Sequence, residues 1–278
     1  VSGIREKIVV STEEPSVTQF VLVPGAWLGG WAWDAVASRL REAGHEAHAV
    51  TLTGLGEREA EGGPETDLDT HANDVIGLIE SQELRDVTLV AHSYAGLVAA
   101  VVADRIPERL ARVVYLDTGP VPDGWSMLDW AGEEAAALER EVAEKGDGWR
   151  LPYPGVDRLG PPTAIAGLGE AERAILDEKA VAQPFGTYRQ AVRTSRPFDG
   201  EYERIVVLAG GMGLPLAEFR TMIGPDGPFA VMTGPDWKAV QLATGHWPML
   251  SDPEKLATLL DAIATGSAAL EPLNPTEA

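Results

Sequence analysis

The chain contains no cysteine, which removes disulfides, thiolate metal sites and cysteine nucleophiles from its chemistry together. No two of its histidines have the His-x-x-x-His spacing of a helical zinc site. His45 and His48 are three apart, in or beside a strand, where they would point to opposite faces. No metal site is therefore expected. Its glycine-rich turns carry neither a Gly-x-Gly-x-x-Gly nor a Walker pattern, so no nucleotide cofactor is expected either. No stretch reaches the ~18 consecutive apolar residues of a spanning helix. Residues 1–16 lack the apolar core of a signal peptide, so a cytoplasmic location is the expectation, with a leader removed earlier left open. Cations are scarce: 22 Lys and Arg against 43 Asp and Glu give a formal charge of −21. That field repels phosphate backbones and anionic membrane surfaces. Neither nucleic acid nor a membrane is an expected partner, and the charge is read as an acidic, solvated surface.

Hydrophobic residues make up 45% of the chain and charged residues 23%, a globular balance that supports a large core. At 278 residues, one α/β domain with an insertion fits. Apolar runs at Phe20–Val23, Glu46–Leu52, Val87–Ala91, Val113–Leu116, Ile205–Ala209 and Ala239–Leu242 alternate with amphipathic stretches. Those stretches fall at Ala32–Glu42, Ala72–Gln82, Tyr94–Arg105, Leu216–Ile223 and Glu254–Thr265. This rhythm predicts βα units and a mostly parallel central sheet flanked by helices. Between Asp117 and Ile205 the rhythm is lost. A charged helix over Trp130–Lys145, a Pro/Gly-rich loop over Leu151–Pro162 and a helix from about Glu170 predict an inserted helical cap. The expected division is a core of residues 17–118 and 204–266, a cap of 119–203, and flexible ends at 1–16 and 267–278; Gly56–Asp69 also reads as mobile. No internal repeat is found.

Open α/β sheets bind ligands beyond the carboxyl ends of their strands, and three such ends carry reactive side chains. Val87-Thr-Leu-Val-Ala-His-Ser93-Tyr-Ala-Gly96 is an apolar strand, a sharp turn holding a serine, and an apolar helix. That is the context of a nucleophile elbow, whose flanking residues must be small; here they are Ala91 and Ala95. The alternative, Ser93 as a simple helix cap, needs none of this context. A serine hydroxyl needs a base, and His246, after the last predicted strand, is the histidine placed to supply one. His45, His48, His71 and His92 read as packed or surface histidines. The third member is a carboxylate that orients the imidazole. The loop Gly210-Gly-Met-Gly213 has no acid, whereas Val113-Val-Tyr-Leu-Asp117 ends in one, so Asp117 is assigned. Asp123 and Asp236 are weaker rivals in loops. Charge developing on a substrate oxygen requires amide donors. Tyr94 supplies one, and the loop after Phe20–Val23 supplies the other, from Ala26 or alternatively Trp27. Trp125, Trp130 and Trp247 are the candidate substrate-binding aromatics.

These residues carry a resemblance. The segments Val21-Leu-Val-Pro-Gly-Ala-Trp27-Leu-Gly-Gly-Trp31, Leu52-Thr-Gly-Leu-Gly-Glu-Arg58, Asp69-Thr-His-Ala-Asn-Asp74, Ala91-His-Ser-Tyr-Ala-Gly96 and Gly245-His-Trp-Pro-Met-Leu250 resemble the α/β-hydrolase superfamily. The likeness is to its bacterial esterase branch, related to plant methylesterases and hydroxynitrile lyases. It implies an α/β-hydrolase fold with the cap inserted after the strand at Val113–Leu116, the sixth in the family's count. Pro24 replaces the usual His, Ala91 and Ala95 replace Gly, and Gly210–Gly213 lacks the usual acid. The lyases carry Lys directly after the catalytic His, and Trp247 stands there instead. Dehalogenases and epoxide hydrolases use Asp where Ser93 stands. An acid in the position of Asp117 is similar to that of fungal lactone hydrolases and cofactor-free dioxygenases. The expected activity is therefore a serine hydrolase, an esterase or lactonase acting through a Ser-His-Asp catalytic triad on a bulky apolar small molecule. The alternatives are a cofactor-free cyclase, dehydratase or oxygenase acting on an aromatic or polyketide-like metabolite, and a ligand-binding protein without turnover. Oligomeric state stays open, a homo-oligomer included.

Overall fold

Each central strand is buried on both faces, which is why the strands read as continuous apolar runs rather than alternating ones. In the computed structural model, residues 17–274 are described apart from positions 196, 197, 199, 226 and 228. Of the expected flexible ends, 1–16 and 267–278, residues 1–16 and 275–278 lie outside the described residues. The chain runs β1 (Gln19–Val23), α1 (Asp34–Glu42), β2 (Glu46–Ala49), α2 (Leu68–Ser81), β3 (Val87–His92), α3 (Ala95–Arg105) and β4 (Leu110–Leu116). An insertion follows with α4 (Met127–Ala131), α5 (Ala135–Lys145), β5 (Arg150–Leu151), α6 (Glu170–Lys179), β6 (Gln183–Pro184) and α7 (Gly186–Arg189). The core resumes with β7 (Glu203–Leu208), α8 (Leu216–Thr221), β8 (Trp237–Gln241), α9 (Pro248–Ser251), α10 (Pro253–Ala264) and β9 (Glu271–Pro272).

Seven strands form one sheet in the order β2-β1-β3-β4-β7-β8-β9. It is parallel up to β8, and β9 pairs antiparallel to β8. The period of two sorts the strand side chains into two cores. Val21, Leu89, Val113 and Val206 face α2 and α3. Phe20, Val90, Val114 and Ile205 face α1 and α10. Helix α3 is buried along Ala95–Asp104, as befits a helix apolar all round. A capping box starts α2, with Asp67 accepting from the Thr70 amide at 2.9 Å.

Four expectations change. The insertion follows β4, the strand expected to precede it, but it is not wholly helical: β5 and β6 pair antiparallel. The helix expected over Trp130–Lys145 is broken at Gly132, whose φ of +55° ends α4 before α5 begins. Residues 267–274 are not a loose tail, because β9 closes the sheet edge and Leu273 is fully buried, its amide bonded to the Trp237 carbonyl at 2.8 Å. Gly56–Asp69 is held by Arg58, whose guanidinium bridges Asp74 at 2.9 Å, the Thr51 carbonyl at 3.0 Å and the Thr53 hydroxyl at 2.8 Å. These contacts follow no helical or strand spacing, so no local periodicity announces them.

Candidate active site

The parallel ladder continues past the strand ends and sets three side chains side by side. The Ser93 amide donates to the Leu116 carbonyl at 3.2 Å, and the Asp117 amide donates to the Val207 carbonyl at 2.7 Å. Ser93 and Asp117 thus stand at neighbouring strand ends, and His246 arrives from beyond β8. Ser93 has φ +53° and Asp117 φ +50°, the left-handed region that residues with a Cβ seldom occupy. Strain of this kind gathers where geometry serves a site. The close turns need small neighbours: a Cβ on Gly25 would lie 2.8 Å from His92 Nδ1, and one on Gly96 would lie 2.7 Å from the Thr118 hydroxyl.

His246 Nδ1 lies 2.6 Å from Asp117 Oδ2. The Asp117 carboxylate is wholly buried, and main-chain donors satisfy it: the Ala209 amide at 2.8 Å to Oδ1 and the Gly211 amide at 2.6 Å to Oδ2. Burying a charge is tolerated when such partners replace water. The loop with no acid of its own and the residue just before it therefore each supply an amide to the acid that follows β4. A Cβ on Gly211 would lie 2.5 Å from His246 Nδ1 and would also collide with Asp117 Oδ2. The rivals stand elsewhere: Asp123 accepts from the Thr194 amide at 2.9 Å, and Asp236 lines a surface groove with Tyr202 and Lys238.

The backbone of His246 is fixed from both sides. Its amide donates to the Ala164 carbonyl of the insertion at 2.7 Å, and its carbonyl accepts from His92 Nε2 at 2.8 Å. His92 is fully buried. Burial first, and the neighbouring His246 second, hold its pKa well below the ordinary imidazole value, so its ring is a neutral strut. His71 is a second buried strut behind the elbow. Its Nε2 donates to the Thr53 carbonyl at 2.8 Å and its Nδ1 accepts from the Tyr94 hydroxyl at 3.0 Å. Burial lowers its pKa to about 4.

Ser93 and His246 both line two cavities. The first, of about 210 Å³, is closed by Trp130, Phe219, Phe229 and Met212 and touches Asp117 and Gly211. The second, of about 400 Å³, contains Ala26, Trp27, His92, Tyr188 and Trp247. Trp130 meets Phe229 edge to face at 5.2 Å, and Trp247 meets His246 likewise at 4.7 Å. Of the three candidate binding tryptophans, Trp125 lines neither cavity; it packs against the core at the base of the insertion. Trp27 was the alternative amide donor, but its N–H is already given to Gln183 Oε1 at 3.0 Å. The Tyr94 side chain is buried beneath the elbow against Tyr188. Phe219, Phe229 and Gln183 carry no signal in the sequence, since each reaches the site through tertiary packing alone, whereas His92 is a packed histidine as expected. Among the described residues, no cluster of three His, Cys, Asp or Glu could hold a metal ion, and no helix is long and apolar enough to cross a membrane.

A family model described as the alpha/beta hydrolase family matches residues 20–259. The carbendazim hydrolyzing esterase of Nocardioides sp. (strain SG-4G) is 32% identical over 262 residues, covering 89% of this chain and 100% of that protein. The putative chloroplastic methylesterase 14 of Arabidopsis thaliana is 31% identical over 134 residues, 48% of this chain and 38% of its own length. Among solved structures, an extracellular alpha/beta-hydrolase from a Paenibacillus species superposes with a TM-score of 0.74 at 21% identity, covering 89% of this chain and 98% of that one. A pyrethroid hydrolase superposes with a TM-score of 0.65 at 22% identity, covering 90% of this chain and 98% of that one. With a family model spanning nearly the whole core and a full-length relative at this identity, the chain belongs to the alpha/beta hydrolase family, in its esterase-like branch of carboxylic ester hydrolases.

Proposed function

We propose that this chain cleaves small-molecule esters by nucleophilic acyl transfer, with Ser93, His246 and Asp117 as its catalytic triad. The observation that carries the proposal is the 2.6 Å contact between His246 Nδ1 and Asp117 Oδ2, made beside the cavities that Ser93 also lines. With Nδ1–H donated to Asp117, the other ring nitrogen is the free base. Ser93 Oγ attacks the ester carbonyl as His246 takes its proton, and the oxyanion is met by the amides of Ala26 and Tyr94. Collapse expels the alcohol, which receives the proton from His246. Water then attacks the acyl-enzyme by the same route in reverse, releasing the acid and Ser93. The esterase relative matched over its whole length favours this course over proton chemistry without a covalent intermediate.

The insertion, residues 119–203, acts in this reading as a cap, since it contributes Met127, Trp130, Leu159 and Ala164 around Ser93. The substrate is a compact apolar ester: the smaller cavity is walled by aromatic and aliphatic side chains, the usual lining of a small-molecule site. The relative matched over its whole length is named an esterase that hydrolyses carbendazim, which supports a small-molecule substrate. A fluorophosphonate probe should label wild-type protein at Ser93 and leave Ser93→Ala unlabelled. A panel of p-nitrophenyl esters should be turned over, short aromatic or branched acyl groups ahead of long linear ones. Lactones belong in the same panel, given the position of Asp117. Labelling elsewhere, or no turnover of any ester or lactone, would sink the proposal.

A further inference from the structure

Trp27 is gripped by the insertion at three points, two on its backbone and one on its side chain. Its N–H donates to Gln183 Oε1 at 3.0 Å, its carbonyl accepts the Val181 amide at 3.0 Å, and its indole Nε1 donates to the Leu151 carbonyl at 3.3 Å. Trp27 has φ +67°, a region glycine occupies freely and tryptophan does not. It sits third in the turn Gly25–Leu28, which the Leu28 amide closes onto the Gly25 carbonyl at 3.4 Å. Left alone, such a turn would relax toward negative φ. The grip prevents this.

Gln183 does not act by itself. Gln183 and Thr187 are both 0% exposed, and Gln183 Nε2 donates to the Thr187 hydroxyl at 2.9 Å. Thr187 in turn donates to the Pro184 carbonyl at 2.6 Å, and the next residue, Tyr188, stacks on Tyr94 with ring centroids 5.8 Å apart. Through Gln183 and the Thr187–Tyr188 step that follows it, the insertion therefore touches two loops of the core, the turn holding Ala26 and Trp27 and the elbow holding Ser93 and Tyr94. A buried amide with both ends satisfied is a rigid spacer, and its removal strands the partners it served.

We infer that Gln183 and Thr187 are positioning residues that set the distance between the two oxyanion donors, Ala26 and Tyr94. The inference rests on the esterase reading given above. Neither residue touches the reacting atoms; each acts through the backbone it holds. The insertion thereby helps to build the transition-state site as well as cover it, and donors already aimed at the developing charge are what such a site requires.

The test compares wild type with Gln183→Met and Thr187→Val, which keep volume and remove the hydrogen bonds, and with Thr187→Ser, which keeps the hydroxyl. Each is assayed with a p-nitrophenyl ester and with an alkylboronic acid, which forms a tetrahedral adduct on the serine. Losing a whole oxyanion donor costs ~10²–10³ in rate, so a misplaced one should cost about tenfold to a hundredfold in kcat. KM should stay within about twofold, the boronate should bind more weakly by the same factor as kcat falls, and Thr187→Ser should behave as wild type. Unchanged kcat and boronate affinity in both disrupting variants overturn the inference, as does a rise in KM with boronate affinity intact. Should Gln183→Met fail to fold, Thr187→Val decides on the same readouts. Wild-type protein that turns over no ester condemns the esterase reading instead, so the two failures are told apart.

Discussion

Gly211→Ala is the smallest change that should disable this site. The backbone of Gly211 lies outside the left-handed region, so alanine is conformationally acceptable there and the only obstacle is what its methyl group meets. That group would lie 2.5 Å from His246 Nδ1 and press on Asp117 Oδ2. Restoring ordinary contact distance moves the ring or the carboxylate by about 1 Å, which opens the bond now at 2.6 Å. A displacement of ~1 Å in a catalytic array costs roughly 10²-fold in rate, and loss of imidazole orientation costs up to ~10⁴. The expected kcat for a p-nitrophenyl ester is therefore about 10² to 10⁴ below wild type. Overpacking of this size costs about 1–3 kcal/mol in stability, so urea unfolding should show a folded protein with a lower midpoint. Fluorophosphonate labelling of Ser93 should slow in parallel, because it needs the same base. Gly77→Ala is the control: it lies in α2 with nothing within 4 Å of the new methyl group, and it should leave kcat alone while adding up to ~1 kcal/mol of stability. A Gly211→Ala enzyme working within about threefold of wild type would refute the reasoning.

Asp117→Asn should lower kcat by ~10⁴, while Asp123→Asn and Asp236→Asn leave it near wild type; equal effects in steady-state assays would unseat Asp117. Ser93→Ala and His246→Ala should each abolish nearly all turnover and the double variant should be little worse, since the two act as a unit; additive losses would deny the shared role. Buried His71 has its pKa lowered to about 4 from the 6.5 of an ordinary histidine. Between those values the unfolded chain binds the proton and the folded one does not, so stability falls as pH drops from 6.5 toward 4, by roughly 3 kcal/mol from this group. Buried His92 adds in the same direction. Urea titrations across that range should show a shallower slope for His71→Gln, and an unchanged slope would acquit His71.

Much of the core was legible because its signals are local. Strands buried on both faces declare themselves as apolar runs. Ser93 follows such a run and precedes an apolar helix, and Asp117 emerged once Gly210–Gly213 was seen to lack an acid. The grouping of Ser93, Asp117 and His246 follows from the rule that ligands collect at strand ends. What stayed hidden depends on partners distant along the chain. Gln183 is an ordinary glutamine until Trp27 and Thr187 close around it. Trp125 and Trp130 lie five positions apart in the same insertion, and only packing decides that Trp130 faces the cavity. Arg58 reads as part of a charged, aperiodic loop, although its bonds to Asp74 and Thr53 order that loop.

The short strand β9 has a consequence for how these molecules behave in a crowd. An open sheet edge offers unpaired amides and carbonyls to any passing chain. Here the outer face of β8 is occupied by two residues, one of them Pro272, paired with Lys238. Proline has no amide hydrogen to offer a further strand. Leu273 and Asn274 fasten this strip, the latter through its side-chain amide to the Met232 carbonyl and, at 2.8 Å, to the Gly234 carbonyl. The strip works as a selvedge, ending the sheet in something that cannot be extended. Removing residues 267–278 should leave Ser93, Asp117 and His246 in place but bare the β8 edge, giving a chain that is still active when dilute and self-associates as its concentration rises.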